Sequence, residues 1–345
     1  MTYDNNVLLI YTGGTIGMNR NPQTGALEPF KFEHLLNRVP ELAQFSTNIA
    51  TIQFTPPIDS SNMSPRLWIE LTHIIADNYD KYDGFVILHG TDTMAYTASA
   101  LSYTLENLTK PVILTGSQLP IGQLRTDGKE NLITSIEIAS AKHSNGQAMV
   151  PEVGIYFNGH LMRGNRTTKQ SADNFNAFES FNYPHLVDAG VNISYKEDLI
   201  LKPDYAKPMQ PHFRLDNNVI VFTIFPGIRE DLVRHLIATP NLRSIVMRTF
   251  GSGNAPQSPW LIKALKEATA NGKTVVNISQ CMVGCVEMGR YDTGYQLKSA
   301  GVISGYDSTV ESAVTKLMYL QARYEDPEKV RYYMTKNIRG EISVS

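Results

Sequence analysis

The chain has 345 residues but only two cysteines, Cys281 and Cys285, and no cysteine–histidine cluster at zinc-ligand spacing. This excludes a disulfide framework and a cysteine-based zinc module, and it suits a reducing compartment. There is no excess of one charge either: 31 Lys and Arg stand against 33 Asp and Glu, a formal net charge of −2. Such a balance leaves no electrostatic footprint for nucleic acid or an anionic membrane, and it points to a small-molecule ligand. No run approaches the roughly 18 apolar residues that span a bilayer. The polar residues 1–6 lack the basic and apolar regions of a secretory signal, so the expected location is cytoplasmic. With 42% hydrophobic and 19% charged residues, the chain is neither disordered nor fibrous. Its length suggests about two domains.

What is present is a recurring arrangement of a short apolar run followed by a glycine-containing polar turn. Residues 7–11 precede Thr12-Gly13-Gly14-Thr15, and residues 85–88 precede His89-Gly90-Thr91-Asp92. Residues 111–114 precede Thr115-Gly116-Ser117-Gln118, and 153–157 precede Asn158-Gly159. Near-continuous apolar runs of this length read as strands buried on both faces. Helical patterns alternate with them. Ser64-Pro65 marks a helix start, with Leu67, Leu71, Ile74 and Ile75 on one face, and further helices are expected over 94–108 and 131–141. The alternation predicts an α/β protein whose larger N-terminal domain, 1–191, is built on a parallel sheet. Its glycine turns fall at the carboxyl ends of the strands, where ligands bind in such sheets. Pro203, Pro208 and Pro211 punctuate a polar stretch read as a linker over 192–214. Strands at 219–225, 244–247 and 274–278, with helices at 260–270 and 310–323, predict a smaller C-terminal Rossmann-like α/β domain, 215–345. Gly272 serves as the C-cap signal of the 260–270 helix.

None of the glycine motifs suits a nucleotide. Gly13-Gly14-Thr15-Ile16-Gly17 lacks the G-x-G-x-x-G spacing that opens a helix, and Gly272-Lys273-Thr274 lacks the upstream glycine of a phosphate loop. Taken one at a time, the remaining motifs have plain structural readings. Gly13-Gly14 would be a tight turn, Thr91-Asp92 a helix N-cap, and Arg163-Gly164-Asn165-Arg166-Thr167-Thr168-Lys169 a solvated basic loop. A threonine hydroxyl becomes a nucleophile only when a base takes its proton, and a carboxylate or a lysine neutralised by burial can assist.

Together, Thr12-Gly13-Gly14-Thr15-Ile16-Gly17 and His89-Gly90-Thr91-Asp92-Thr93-Met94 closely resemble the two signature motifs of bacterial-type L-asparaginases. Asp59-Ser60-Ser61-Asn62-Met63, Thr115–Gln118, Arg163–Lys169 and Gly251-Ser252-Gly253-Asn254-Ala255-Pro256-Gln257 resemble the cytoplasmic type I branch, and the likeness covers essentially the whole chain. It implies hydrolysis of L-asparagine to L-aspartate and ammonia through an acyl-enzyme, with no metal or organic cofactor. Thr15 would attack the amide carbon, and Thr91, Asp92 and Lys169 would form the proton relay. Asp59, Ser60 and Ser61 would hold the α-carboxylate and α-amino groups, with Asp92 anchoring the ammonium. Backbone N–H groups near Gly90, Thr91 and Ser117 would stabilise the oxyanion. One departure concerns a tyrosine that relatives often carry in the lid loop. It is absent from Gln23-Thr24-Gly25-Ala26-Leu27-Glu28, and the nearest upstream tyrosine, Tyr11, lies on a strand.

The same branch implies a second, regulatory asparagine site formed by Thr168, Arg248, Asn254, Ser279, Gln280 and Cys281. Arg248 and Ser279-Gln280-Cys281 fall at expected strand ends, and Thr168 adjoins Lys169, which offers a route for coupling. Their plain readings are an ion pair for Arg248 and a small buried hydrophobe for Cys281. The family implies a homodimer or homotetramer and no nucleic-acid or membrane partner. Three alternatives remain beside this reading: a glutaminase, the deaminating partner of a tRNA amidotransferase, and a non-catalytic amino-acid sensor. Net charge and the early first motif weigh against the second, and retention of a proton relay weighs against the third.

Overall fold

In the computed structural model, which describes residues 5–20, 23–24, 27–29, 38–289 and 292–344, the apolar runs become strands buried on both faces. In the first of them, β1 (Asn5–Tyr11), Val7, Leu9 and Tyr11 join one core cluster while Leu8 and Ile10 join another. This two-sided burial is why the run shows no polar alternation. The series continues with β2 (Thr47–Gln53), β3 (Gly84–Leu88), β4 (Val112–Thr115), β5 (Val153–Phe157) and β6 (His160–Arg163). A two-stranded ribbon follows, β7 (Thr168–Lys169) against β8 (Phe178–Glu179), and then β9 (Val187–Ala189) and β10 (Ile193–Tyr195). Among the described residues the large sheet has eight strands in the order β10-β9-β6-β5-β4-β3-β1-β2.

The pairing from β2 through β5 is parallel, as expected. Beyond β5 the sheet turns antiparallel. Asn158-Gly159 closes a hairpin from β5 to β6, with positive φ at both residues. Such a two-residue turn reverses the strand where a parallel neighbour would need a crossover. Helix α1 (Pro65–Asn78) packs Leu67, Leu71 and Ile75 on one face of the sheet, beside α2 (Met94–Thr104). Ser64 occupies the N-cap position of α1, but its side chain makes no capping bond. Helix α2 stops four residues short of the expected 108, because Leu105–Glu106 leaves it to pair with Gln210–Pro211. Helix α3 (Gly128–Ser140) covers the opposite face with Leu132 and Ile136.

The chain divides into two units, Met1–Phe213 and Arg214–Ser345. Much of the 192–214 segment, read as a linker, is folded with the first unit: β10 is an edge strand, and Gln210–Pro211 pairs as above. Proline is tolerated in such edge positions, where its missing N–H breaks no ladder. The second unit holds a four-stranded parallel sheet of β11 (Val219–Thr223), β12 (Ser244–Thr249), β13 (Thr274–Ser279) and β14 (Ile303–Ser304). The helices Pro259–Ala270 and Val310–Arg323 match the expected positions. Gly272, at φ +78, follows the first of these and accepts the left-handed conformation of a C-terminal cap. No helix among the described residues is long and apolar enough to cross a membrane.

Candidate active site

Because β1 and β3 are hydrogen-bonded parallel neighbours, the turns that follow them begin side by side. Thr12 ties the two together, its backbone N–H and its hydroxyl both donating to the Leu88 carbonyl, at 3.0 and 2.9 Å. The next two residues have φ values of +138° at Gly13 and +95° at Gly14. A Cβ on Gly13 would lie 2.1 Å from the Ile58 carbonyl oxygen, and one on Gly14 only 2.6 Å from the Gly90 Cα. Both the conformation and the contact therefore demand glycine. The pair presses the first turn onto the second turn and onto the segment leading to Asp59.

Thr15 begins a short 3-10 turn, Thr15–Gly17, and is half-buried; its hydroxyl makes no hydrogen bond among the described residues. Of the two threonines in the motif, one is structural and the other is left available. Below the turn, Tyr11 donates to the Gly17 carbonyl at 3.3 Å, and burial pushes its phenol up to about 12, so it remains a donor. Of the segment in which a lid tyrosine is absent, Gly25 and Ala26 lie outside the described residues.

The second turn rests on a buried polar chain. The Trp68 indole N–H donates to the Thr97 hydroxyl at 3.0 Å, and that hydroxyl lies 2.9 Å from His89 Nε2. His89 Nδ1 is 2.7 Å from the Gly90 carbonyl, which has no proton to give. The proton is therefore on Nδ1, Nε2 accepts from Thr97, and the ring is neutral. Burial holds this imidazole down at about 4. The unfolded chain takes up a proton near pH 6.5 that the folded protein refuses until about pH 4. Stability is thus lost as pH falls through that window, by about 3 kcal/mol at its lower end. His89→Gln is expected to lose less stability than the parent between pH 7 and pH 4.5, as measured by urea unfolding at both.

Helix α2 takes Thr93, not Thr91 or Asp92, as its N-cap residue, and the Thr93 hydroxyl donates to the Ser60 carbonyl at 2.7 Å. Thr91 and Asp92 thus stand outside the helix. Lys169 Nζ, from the ribbon strand β7, donates to Thr91 Oγ1 at 2.8 Å and to Asp92 Oδ1 at 2.8 Å. Thr91 also donates toward Gln118 Oε1 at 3.4 Å, while the Gln118 amide holds the Asn174 carbonyl at 3.0 Å. The loop before Lys169 is no solvated basic stretch. Arg163 and Arg166 are buried, and Arg163 is paired with the equally buried Glu152 at 2.6 Å. Phe178, opposite Lys169 across the ribbon, packs on Phe157 with ring centroids 5.1 Å apart.

Asp59 caps the short turn Ser60–Asn62, its Oδ1 accepting the Ser61 N–H and hydroxyl, each at 2.9 Å. Ser60 is buried against the second turn, since a Cβ on Gly90 would meet its Oγ at 2.5 Å. Ser117 is also buried, and its hydroxyl donates to the Leu119 carbonyl. The backbone N–H groups of Gly90 and Thr91 donate to no other described group.

The residues read as a regulatory site divide between the units. Thr168 belongs to the first, on β7, and Arg248, Asn254, Ser279, Gln280 and Cys281 to the second. Arg248, the penultimate residue of β12, and Ser279, the last of β13, lie on adjacent strands one residue out of register. Arg248 makes no ion pair among the described residues and leaves a buried Nε without a partner, so its plain structural reading does not hold. Cys281 is exposed, not a buried hydrophobe, and both cysteines are free thiols. The Gln280 amide is occupied, donating to the Ile224 and Arg248 carbonyls at 2.7 and 3.0 Å. Sequence reasoning gave no role to His89 or Tyr11, because their contacts depend on which strands become neighbours.

Residues 6–201 match the family model "Asparaginase, N-terminal", and residues 218–334 match "Glutaminase/Asparaginase C-terminal domain". The molecule is an α/β amidohydrolase. Together the two matches cover most of the chain, and it belongs to the asparaginase family. Within that family it is 44% identical to L-asparaginase 1 of Escherichia coli K12, over 98% of both chains. The crystal structure of L-asparaginase I from Vibrio cholerae superposes with a TM-score of 0.89 at 42% identity, covering 99% of each chain. The solved structure of the thermostable L-asparaginase from Thermococcus kodakarensis gives a TM-score of 0.88 at 32% identity, covering 99% of this chain and all of that one. These likenesses place the chain with the type I branch.

Proposed function

We propose that the chain hydrolyses L-asparagine to L-aspartate and ammonia, with Thr15 as nucleophile. The observation that carries this reading is the position of Lys169 Nζ, 2.8 Å from both Thr91 Oγ1 and Asp92 Oδ1, on the turn that Gly14 presses against. The Thr15 hydroxyl oxygen attacks the side-chain amide carbon. The proton it gives up passes through Thr91 to Lys169, which must be neutral at that moment, and then to the departing nitrogen. The C–N bond breaks, ammonia leaves, and a β-aspartyl ester on Thr15 remains. Water adds to that ester, and the alcohol oxygen recovers its proton as aspartate is released. The unpaired N–H groups of Gly90 and Thr91 are suited to the oxyanion of both steps. Asp59, Ser60, Ser61 and Ser117 line the same junction, where an amino acid's charged groups would be held, and Asp92 anchors the ammonium.

The unpartnered Arg248 guanidinium, with Asn254, Ser279, Gln280 and Cys281 around the strand ends, supports a regulatory site for the α-carboxylate of a second asparagine. Thr168, the remaining residue of that reading, adjoins Lys169 on β7. A cytoplasmic location and a homodimer or homotetramer complete the reading, and light scattering checks the assembly. The initial rate of ammonia release against asparagine concentration tests both sites. A sigmoidal curve that Arg248→Ala turns hyperbolic is expected; no ammonia at millimolar asparagine would sink the hydrolase, and a hyperbola in the unmodified chain would remove the regulatory site alone. Glutamine, one methylene longer, is expected to react about 10- to 200-fold more slowly.

A further inference from the structure

Away from this junction, at the hairpin that turns the large sheet antiparallel, two histidines and an aspartate meet. The pairing of β6 with β9 sets His160 directly opposite Asp188, and His185 lies three residues earlier on the approach to β9. One ligand atom from each of the three falls within 4.8 Å of the others. His160 Nδ1 is 2.9 Å and His185 Nδ1 3.6 Å from the same oxygen, Asp188 Oδ1. Tetrahedral ligands at the usual metal–nitrogen and metal–oxygen distances are roughly 3.4 Å apart, which these two separations bracket.

The surroundings are arranged as they are around metal-bound imidazoles. His185 Nε2 is 2.8 Å from Glu179 Oε1, and that oxygen also accepts the Ser180 N–H at 2.9 Å. An imidazole that donates its Nε2 proton to a carboxylate keeps its Nδ1 lone pair free, the outer arrangement that orients histidine ligands. Here that lone pair faces Asp188 Oδ1 at a distance too long for a hydrogen bond. A metal ion between them would take both atoms as ligands. Lys196 takes the other carboxylate oxygen, Oδ2, at 2.7 Å, so it does not fill this gap and leaves Oδ1 to bind through one oxygen. The two imidazole rings lie 4.3 Å apart.

We infer that His160, His185 and Asp188 form a site for a borderline divalent transition metal such as zinc, nickel or cobalt, with Glu179 orienting His185. Two imidazoles and one carboxylate suit these ions better than calcium or magnesium, and half-exposed ligands leave a fourth position for water. On binding, the metal displaces the proton shared between His160 and Asp188, which leaves to solvent, and two metal–nitrogen bonds and one metal–oxygen bond form. Glu179 pairs across the ribbon with Thr168, the neighbour of Lys169, so an occupied site braces the ribbon from its outer side. Nothing in the sequence hints at it, since the histidines are 25 residues apart and no cysteine takes part.

The test uses the full-length chain without an affinity tag, stripped with chelator and titrated with zinc chloride by calorimetry. A parallel titration with cobalt chloride is read by visible absorption. The expected result is one equivalent of zinc per chain with micromolar affinity, and a cobalt spectrum of tetrahedral intensity. His160→Ala and His185→Ala should abolish both, Glu179→Gln should weaken zinc about tenfold or more, and His143→Ala should change nothing. Circular dichroism checks folding; should His185→Ala not fold, His160→Gln and Glu179→Gln decide. No zinc binding, or binding that survives His160→Gln and Glu179→Gln unchanged, overturns the site.

Discussion

Thr15→Ala is expected to lower kcat for asparagine at least about a thousandfold, in keeping with the loss of a covalent nucleophile. Asparagine should still bind, because the segments suited to hold its charged ends, around Asp59 and Asp92, are untouched. Folding should be nearly unaffected as well. The Thr15 hydroxyl makes no hydrogen bond among the described residues, and its loss leaves no buried group without a partner. This separates it from Thr12, whose hydroxyl is fully committed to the Leu88 carbonyl and whose role is to fasten two strands. Initial rates, calorimetric binding of asparagine and a thermal melt make the comparison. A variant that kept more than a tenth of the parent kcat would end the case for Thr15.

Lys169→Met is expected to lower kcat by about a hundred- to ten-thousandfold, the range for a positioned proton-transfer group. Methionine keeps most of the volume and removes the amine that reaches both Thr91 and Asp92. The cost in stability should be small, since the Asp92 side chain is 66% exposed and stays hydrated when its partner goes. Lys169→Arg sharpens the test. If the lysine served only to hold Asp92 in place, arginine would restore much of the rate. If it carries protons, arginine will not, because a guanidinium does not give up its proton at working pH. Substantial recovery in the arginine variant would reduce Lys169 to a positioning residue.

The fold was legible where an element needs only its own residues to declare itself: strands 7–11 and 153–157 and helix 310–323 read directly from apolar pattern and length. What escaped reading depends on partners far along the chain. Nothing in 94–108 shows that α2 must end at Thr104, because the strand that takes over from it pairs with residues a hundred positions later. The start of α3 at Gly128, three residues early, has a similar origin. Its N-terminal turn lies so close to Ser117 and Ile16 that a Cβ on Gly128 would touch both at 3.2 Å, and glycine there looks like a helix breaker in sequence alone. Motif order and chemistry singled out Thr91, Asp92 and Lys169, which the fold brings within hydrogen-bond reach of one another, but the buried state of Arg163 and Arg166 did not follow from three cations in seven residues. For Arg163 it needed Glu152, which meets it once β5 and β6 pair. His89 is the same case, for the Thr97 hydroxyl that its Nε2 accepts from and the Trp68 indole behind it lie on two different helices.

The fastening of β1 to β3 has a kinetic consequence. The two threonine turns exist as one junction only after strands about 80 positions apart have paired, and such distant pairings are slow to close during folding. Helices can form while Thr15 and Thr91 are still on separate stretches of loose chain. Recovery of ammonia release after dilution from denaturant would therefore lag behind the return of helical signal and time the moment at which the central strands lock.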